Sequence, residues 1–583
     1  MRSRWIETVK KADFRMWGEE LHISALAARL LRNRDVKTLE EARQYLYGSM
    51  EDLADPYLFK DMDSAVKLLS EVREKGGRVC IASDYDDDGI FAGQILHEGL
   101  DVLGIQNEVQ SPNRSREGYG LNRRIADDAK AHGCCMILTC DNGIAALDEI
   151  AYAKELGLQV IVTDHHEPQY EDLPADAVID AKQQDCRYPF KELCGAGVAF
   201  RLIQALYQKF GIGKEKEEEL WEYTAIATVA DVVPLQGENR IIVKAGLSKL
   251  QKTEKPGLKA LIDVCGLVSE NIGSYHIGFV IGPSFNAVSR LTGEAALAWD
   301  LLNAKTYGEA LPIAEKMRSL NELRKTMTED GFAEALEVIE KADWKDDPLY
   351  VVPLKETDES VIGIIAGRLK ERFYKPVIVL TPGEESGMYK GSGRSIEAYH
   401  LMDHLKPCRD ILGRFGGHAM AAGLSVGEDR IDDLRMALVS SCTLTQKDLT
   451  PVLKIDARVP LNYVSEELVE ELKVLEPFGT ANEKPLFALP HLKVTGISLI
   501  GKNRNVLKLR VTDGSGSSIE AVDFKDGAEL YEFLLKEYGE SALSSARSGY
   551  ANPIDLALAF WPDVNEFRGN TTVQIIVEDW CRF

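Results

Sequence analysis

The chain has 583 residues, 45% hydrophobic and 28% charged, enough for three or four globular domains. No window approaches about 18 uninterrupted apolar residues, and the opening MRSRWIETVKKADF carries no apolar core of signal-peptide length. No membrane span and no export are therefore expected, and the setting is expected to be cytoplasmic. The net charge of −24 opposes nucleic-acid binding at first sight, but binding depends on a local patch, and bound divalent metals would offset carboxylates in a site.

In chain order, residues 1–76 read as a helical N-terminal segment. Leu26, Leu30 and Leu31 share one face, and Thr38-Leu-Glu-Glu resembles an N-cap followed by first-turn acids. Three short apolar runs come next, each ending in polar chemistry. Arg78-Val-Cys-Ile-Ala-Ser83 leads into Asp84-Tyr-Asp-Asp-Asp-Gly89. Met136-Ile-Leu-Thr-Cys140 leads into Asp141-Asn-Gly, and Val160-Ile-Val-Thr163 into Asp164-His-His. Helical stretches at about 92–103 and 145–156 separate them. Strands alternating with helices predict a parallel α/β sheet over 77–307, and ligands of such sheets bind beyond the strand C-termini.

A long helix is expected over 308–345, where Ile313, Met317, Leu320 and Met327 keep approximate helical spacing. Residues 346–452 read as a smaller α/β domain with two glycine-rich pieces, Lys390-Gly-Ser-Gly-Arg394 and Phe415-Gly-Gly-His418. From 453 to 583, five short apolar segments with one helix at about 528–538 after the third suit an OB-type barrel, a fold often used for single strands. The ten cysteines are scattered, with only Cys134 and Cys135 adjacent, and no CxxC pair indicates a zinc site. Buried, reduced thiols are expected.

The carboxylates are the strongest signal. Asp84, Asp86 and Asp88 alternate, so an extended backbone would project them to one side, and Gly89 would permit a sharp turn into a helix. Thr228-Val-Ala-Asp231 adds an acid at the end of another apolar stretch. A mixed Asp and His set with many carboxylates suits a pair of Mn2+ or Mg2+ ions. Such a pair can activate water and stabilise the leaving oxygen of a phosphodiester. One Asp alone would be read as a cap or turn residue; four clusters at element ends outweigh that.

DYDDDG, DNG, TDHH and ATVADVVPL occur in the order and spacing of the DHH phosphoesterase superfamily, and nearly the whole chain resembles its RecJ family. SPNRSREGYGLN, KELCGAGVAF, IGPSFNAVSRL, VIGIIAGRL, KGSGRS, RFGGHAMAAG, EPFGTANEKPLF and NEFRGNTTVQ carry the likeness. It implies a DHH domain, a linking helix, a DHHA1 domain and an OB domain, acting as a 5′→3′ exonuclease on single-stranded DNA in repair and recombination. Asp86, Asp88, Asp141, His165 and Asp231 match the family's metal ligands, with Asp141 bridging both ions. His166 would contact the scissile phosphate or support the ligand shell. Asp84 would sit beside the first metal. Ala82 stands where smaller DHH enzymes carry a metal-binding histidine.

Arg114 matches a 5′-phosphate contact, and Ser392 and Arg394 match its partners on the second domain; a guanidinium fork suits a terminal phosphate. Gly416 and Gly417 would let backbone N–H groups approach a phosphate, with His418 donating from its ring as part of the catalytic set. Asn286 and Arg290 match a strand-contacting motif, and Tyr119 could stack on a base. The sequence departs from the family at Ser284, commonly Arg, at Ser289 and Ala481, commonly Gly, and at Thr357-Asp358-Glu359-Ser360. The resemblance leaves two other functions to weigh. One is a DHH phosphodiesterase on short oligoribonucleotides or cyclic dinucleotides, although such enzymes generally stop after the second domain. The other is a non-catalytic single-strand scaffold, although degenerate relatives lose metal residues retained here. A single-strand-binding protein and a helicase are the protein partners it suggests.

Overall fold

The computed structural model describes residues 3–342, 344, 346–501, 504–567 and 569–582. It divides into two compact units, one of residues 44–331 with 477–482, the other of 1–43, 332–476 and 483–583.

The first unit is built on a five-stranded parallel sheet in the order Gln106–Gln110, Arg78–Ser83, Met136–Cys140, Gln159–Thr163, Ala177–Ile179. Successive strand residues face opposite sides. Val79, Ile81, Met136, Leu138 and Ile161 join the larger core, with the helices Asp87–Val102, Gly195–Phe210 and Trp221–Ala230. Cys80, Ala82, Ile137, Val160 and Val162 join a smaller core under the helices Arg123–Ala131 and Leu147–Glu155. Burial on both faces explains why the strands Arg78–Ser83, Met136–Cys140 and Gln159–Thr163 are apolar runs without alternation. With the strands parallel, residues 84, 141 and 164 all follow the same edge of the sheet.

The second unit holds a mixed sheet in the order Leu412–Gly417, Ala421–Gly427, Met388–Arg394, Val377–Pro382, Tyr350–Pro353, in which only the last pair is parallel. It also holds a closed five-stranded barrel in the order Phe487–Ile500, Val506–Thr512, Ser518–Asp523, Asn570–Arg582, Asp555–Phe567, with the helix Gly527–Arg547 inserted after the third strand in sequence. Of the NEFRGNTTVQ segment, Arg568 lies outside the described residues. The long helix runs Tyr307–Lys341, with Pro312 inside, close to the expected span, and contributes residues to both units. No helix among the described residues is long and apolar enough to cross a membrane.

The N-terminal segment departs from the expected all-helical reading. Arg4–Glu7 is a strand, paired in parallel with Val452–Ile455, and Trp5 Nε1 donates to Asp579 Oδ2 at 2.9 Å. Partners more than 400 residues away hold this strand, so no local pattern announces it.

The segment Pro477–Asn482 belongs to the first unit. Its Thr480 carbonyl accepts from Leu235 N at 2.8 Å, and its Ala481 carbonyl accepts from Gln236 Nε2 at 2.9 Å. Ala481 has φ +59°, a left-handed conformation that costs an L-residue about 1–2 kcal/mol. Ala481→Gly should therefore stabilise the protein by about 0.5–1 kcal/mol after the glycine's extra unfolded-state entropy is subtracted. A thermal midpoint at or below wild type would contradict this.

Candidate metal centre

The first carboxylate cluster is a strand-to-helix turn rather than the extended segment the alternation suggested. Asp86 is the N-cap of the helix Asp87–Val102, its Oδ1 accepting from Gly89 N at 3.1 Å, so Asp88 already lies in the first helical turn. Gly89 serves a close approach rather than a special dihedral: a methyl there would sit 2.8 Å from Asp84 backbone atoms. Asp88 is pinned by two backbone donors at the start of the helix Gly195–Phe210, Gly195 N at 2.6 Å and Ala196 N at 2.8 Å. Gly195 is itself constrained, since a methyl would come 2.5 Å from Asp141 Cβ.

Asp141 follows its strand with φ +60°, a conformation that Asp tolerates better than most L-residues. The turn is held by Asp141 N donating to Thr163 O at 3.1 Å, Asn142 Nδ2 donating to Ala82 O at 3.0 Å, and Tyr119 Oη donating to the Asp141 carbonyl at 2.5 Å. Tyr119, read from sequence as a base-stacking candidate, therefore holds the Asp141 turn while its ring remains half exposed. Asp231 ends the helix Trp221–Ala230.

Asp164 orients the histidines. Its Oδ1 accepts from His165 N at 2.7 Å and from His166 Nδ1 at 2.7 Å, and its Oδ2 accepts from Ile144 N at 2.9 Å. The Nδ1 bond leaves His166 Nε2 as the other imidazole position. His165 Nε2 lies 3.1 Å from Asp141 Oδ1, 3.7 Å from Asp88 Oδ2 and 3.9 Å from Asp231 Oδ2.

Three overlapping sets have ligand atoms within 4.8 Å of one another: Asp84, Asp86 and Asp141; Asp88, His165 and Asp231; and Asp141, His165 and His166. Burial, reinforced by neighbouring carboxylates, raises Asp86 and lifts Asp141 well above the carboxylate range. The same causes push Asp84 to about 8 and Asp231 to about 9. Burial draws His165 down. For His166 burial works in the same direction, but the bond and charge of Asp164 outweigh it and raise the imidazole.

Asp84 Oδ2, Asp141 Oδ1 and Asp231 Oδ2 are buried with no hydrogen-bond donor. Carboxylate oxygens and imidazole nitrogens gathered within 4.8 Å of one another are the donor set of divalent cations such as Mn2+ and Mg2+. The residues therefore fit a metal pair.

Asn286 lies beneath this centre, its Oδ1 accepting from Asp87 N at 3.0 Å. The Arg114 guanidinium lies 5.1 Å from the Tyr85 ring centroid, and its charge acts on Asp84 and Asp86; the charge of Arg290 acts on Tyr85. In the second unit, Ser392 pairs with Gly423, which pairs with Gly416. Arg394 Nη1 donates to Ser392 Oγ at 3.1 Å. A methyl on Gly363 would sit 3.1 Å from both Ser392 Oγ and Arg394 Nη2, so that glycine leaves room for the pair. Gly417, with φ +146°, passes so close to Ala421 that a methyl would lie 2.3 Å from its carbonyl oxygen. His418 N donates to Ala421 O at 2.8 Å.

The sequence places Asp164 in the third cluster without giving it a role of its own, and it does not single out Gly195 or Gly363 as site residues. Gly195 and Gly363 lie in segments that carried the family likeness, and Asp164 opens the DHH tripeptide.

A parallel sheet with these strand-end carboxylates and histidines defines a DHH-type phosphoesterase, and residues 78–228 match the DHH family N-terminal domain. Residues 346–443 match the DHHA1 domain and 455–579 the RecJ OB domain. The chain belongs to the RecJ family. It is 33% identical over 580 residues to the single-stranded-DNA-specific exonuclease RecJ of Salmonella typhimurium, covering 95% of each chain. It is 38% identical over 519 residues to the Bacillus subtilis protein of that name, covering 89% of this chain and 65% of that relative's length. The crystal structure of Thermus thermophilus RecJ with Mn2+ superposes with a TM-score of 0.82 at 26% identity, covering 100% of this chain and 79% of that one; the same enzyme's Mg2+ complex gives 0.75.

Proposed function

We propose that the chain engages the 5′-terminal phosphate of a DNA single strand and removes mononucleotides in the 5′→3′ direction. As a RecJ-family member it is a metal-dependent exonuclease of single-stranded DNA, a hydrolase of phosphodiester bonds. The observation that carries the chemistry is the buried centre in which Asp141 belongs to two of the three candidate ligand sets. Asp86, Asp88, Asp141, His165 and Asp231 would hold two divalent cations, Mn2+ or Mg2+, with Asp84 beside them. When bound, such ions activate water and stabilise the leaving oxygen.

The chain's own residues do the rest. Asp164 fixes the His166 ring through its bond to Nδ1, which leaves Nε2 for the scissile phosphate or the ligand shell. Arg114 on the first unit, and the Ser392–Arg394 pair on the second, are each read as contacts for a 5′-phosphate. A terminal phosphate carries about one more negative charge than an internal diester, so a guanidinium favours an end. Gly416, Gly417 and His418 supply donors to the backbone phosphates, while Asn286 and Arg290 guide the strand.

The domain reading is a DHH domain over 77–307, a linking helix to 345, a DHHA1 domain to 452 and an OB domain to 583. The barrel supports a polymer substrate over a dinucleotide. Ten free cysteines support a reducing, cytoplasmic setting. A single-strand-binding protein and a helicase are the proposed protein partners, in repair and recombination.

Arg394→Ala tests the polarity directly. Its rate on 5′-phosphorylated strands should fall about 10-fold or more, as for loss of a charge-assisted bond of about 1.5–3 kcal/mol, while the rate on 5′-hydroxyl strands changes little. Equal losses on both ends would reject the assignment of the phosphate pocket.

A further inference from the structure

Two large aromatic side chains stand exposed on the segment that leads into the helix of Asn286 and Arg290, and no assigned role covers them. Tyr275 is 65% and Phe279 66% exposed. Their rings stack on each other with centroids 4.8 Å apart and planes 28° apart. They sit in the short helix Ser274–His276 and the π-helical turn Ile277–Ile281, which run into the helix Gly282–Thr292 carrying Asn286 and Arg290.

The sequence explains the turn. Pro283 has no N–H, so the carbonyl of Phe279 cannot receive the ordinary i→i+4 bond. The ladder instead widens, with Gly282 N donating to Ile277 O. The same segment abuts the centre: a methyl on Gly282 would lie 2.9 Å from both Ala230 Cβ and Asp87 Oδ2. Ala230 directly precedes Asp231, and the next residue, Val232, is a third exposed apolar side chain, at 65%.

We propose that the Tyr275–Phe279 pair is a stacking platform for an unpaired base of the DNA strand threaded toward the metal centre. This rests on the single-strand reading above. Exposed aromatic area is unfavourable in water, and a flat π-face accepts any base, which suits an enzyme that must pass every sequence. A base already stacked in a duplex has no free face to offer, so the platform also favours single over paired strands. Continuity with the strand-guiding helix sets the occupant as nucleic acid.

The test is binding of a 5′-phosphorylated, fluorescent oligothymidylate to the full chain in EDTA, so that the strand stays intact. The double variant Tyr275→Ala, Phe279→Ala should bind about tenfold more weakly, the scale of one lost stack, with an unchanged salt slope because no phosphate contact is removed. Phe279→Trp with Tyr275 retained should bind like wild type. A single abasic residue scanned along the strand should cost wild type about the same tenfold at one register, and cost the double variant nothing further there. Undiminished affinity in the double variant would assign the rings to a protein partner and overturn the platform. Equal abasic losses in both proteins at every register would overturn it too. Failure of wild type to bind the strand at all would remove the functional reading and the platform together, an outcome distinct from both.

Discussion

Asp141→Asn is expected to reduce hydrolysis at saturating Mn2+ by at least about 10³-fold, equivalent to about 4 kcal/mol of transition-state stabilisation. Asp141 shares candidate ligand sets with Asp84 and Asp86 on one side and with His165 and His166 on the other, so one substitution weakens both halves of the centre. Asparagine is the informative replacement because φ at this position is +60°, which Asn adopts readily and Ala does not. A loss seen with Asn therefore reports ligand chemistry rather than a broken turn. The same substitution should leave the metal-free protein as stable as wild type or more so, since it removes one of several buried carboxylates that repel each other. Activity lost and stability kept is the signature of a strained functional centre. Near-normal turnover at saturating metal would contradict the assignment.

The second large effect is on stability. At a Mn2+ concentration 100 times its dissociation constant, the folded state should gain about 2.7 kcal/mol, and the gain should grow with pH. Asp84 is held near 8 and Asp231 near 9 in the metal-free fold, against an ordinary 3.8. A group raised on folding contributes stability that is fully present below its unfolded value and is lost as pH climbs through the folded one. The metal-free protein should therefore weaken between about pH 4 and 9 through these groups. Bound cations would reverse the repulsion, because they bind the deprotonated forms. The thermal midpoint with and without Mn2+, measured at pH 6, 7.5 and 9, reads this directly. A cation-induced rise that shrinks toward pH 9 would contradict it.

The strand-end clusters were legible because each apolar run stops at a polar motif, and a parallel sheet carries all such stops to one edge. The barrel and the long helix were legible from periodicity. The supports of the centre were not. The spacing of Asp84, Asp86 and Asp88 suggested an extended segment, yet the helix begins at Asp87 because Asp86 caps it. Gly195 approaches Asp141 across 54 residues of sequence, and Asn286 meets Asp87 across 199. No local pattern encodes such distances.

The departures from the family motifs also acquire local reasons. Ser284 is buried, donating to Val280 O at 2.7 Å and accepting from Asn321 Nδ2 at 3.2 Å. It ties its helix to the long one where an arginine is common. Thr357 Oγ1 donates to Glu334 Oε2 at 2.8 Å, and Asp358 caps the helix Glu359–Phe373. Ser289 is buried, and nothing in the structure explains a serine there.

The central claim is metal-dependent removal of nucleotides from the 5′ end of a single strand. It is tested most directly by following 5′-labelled and 3′-labelled copies of one 5′-phosphorylated oligonucleotide, with Mn2+ and with a chelator. The 5′ label should appear at once as a mononucleotide and the 3′ label last, with no product in chelator and little from a blunt duplex. Release of the 3′ label first, or degradation that continues in chelator, would contradict it.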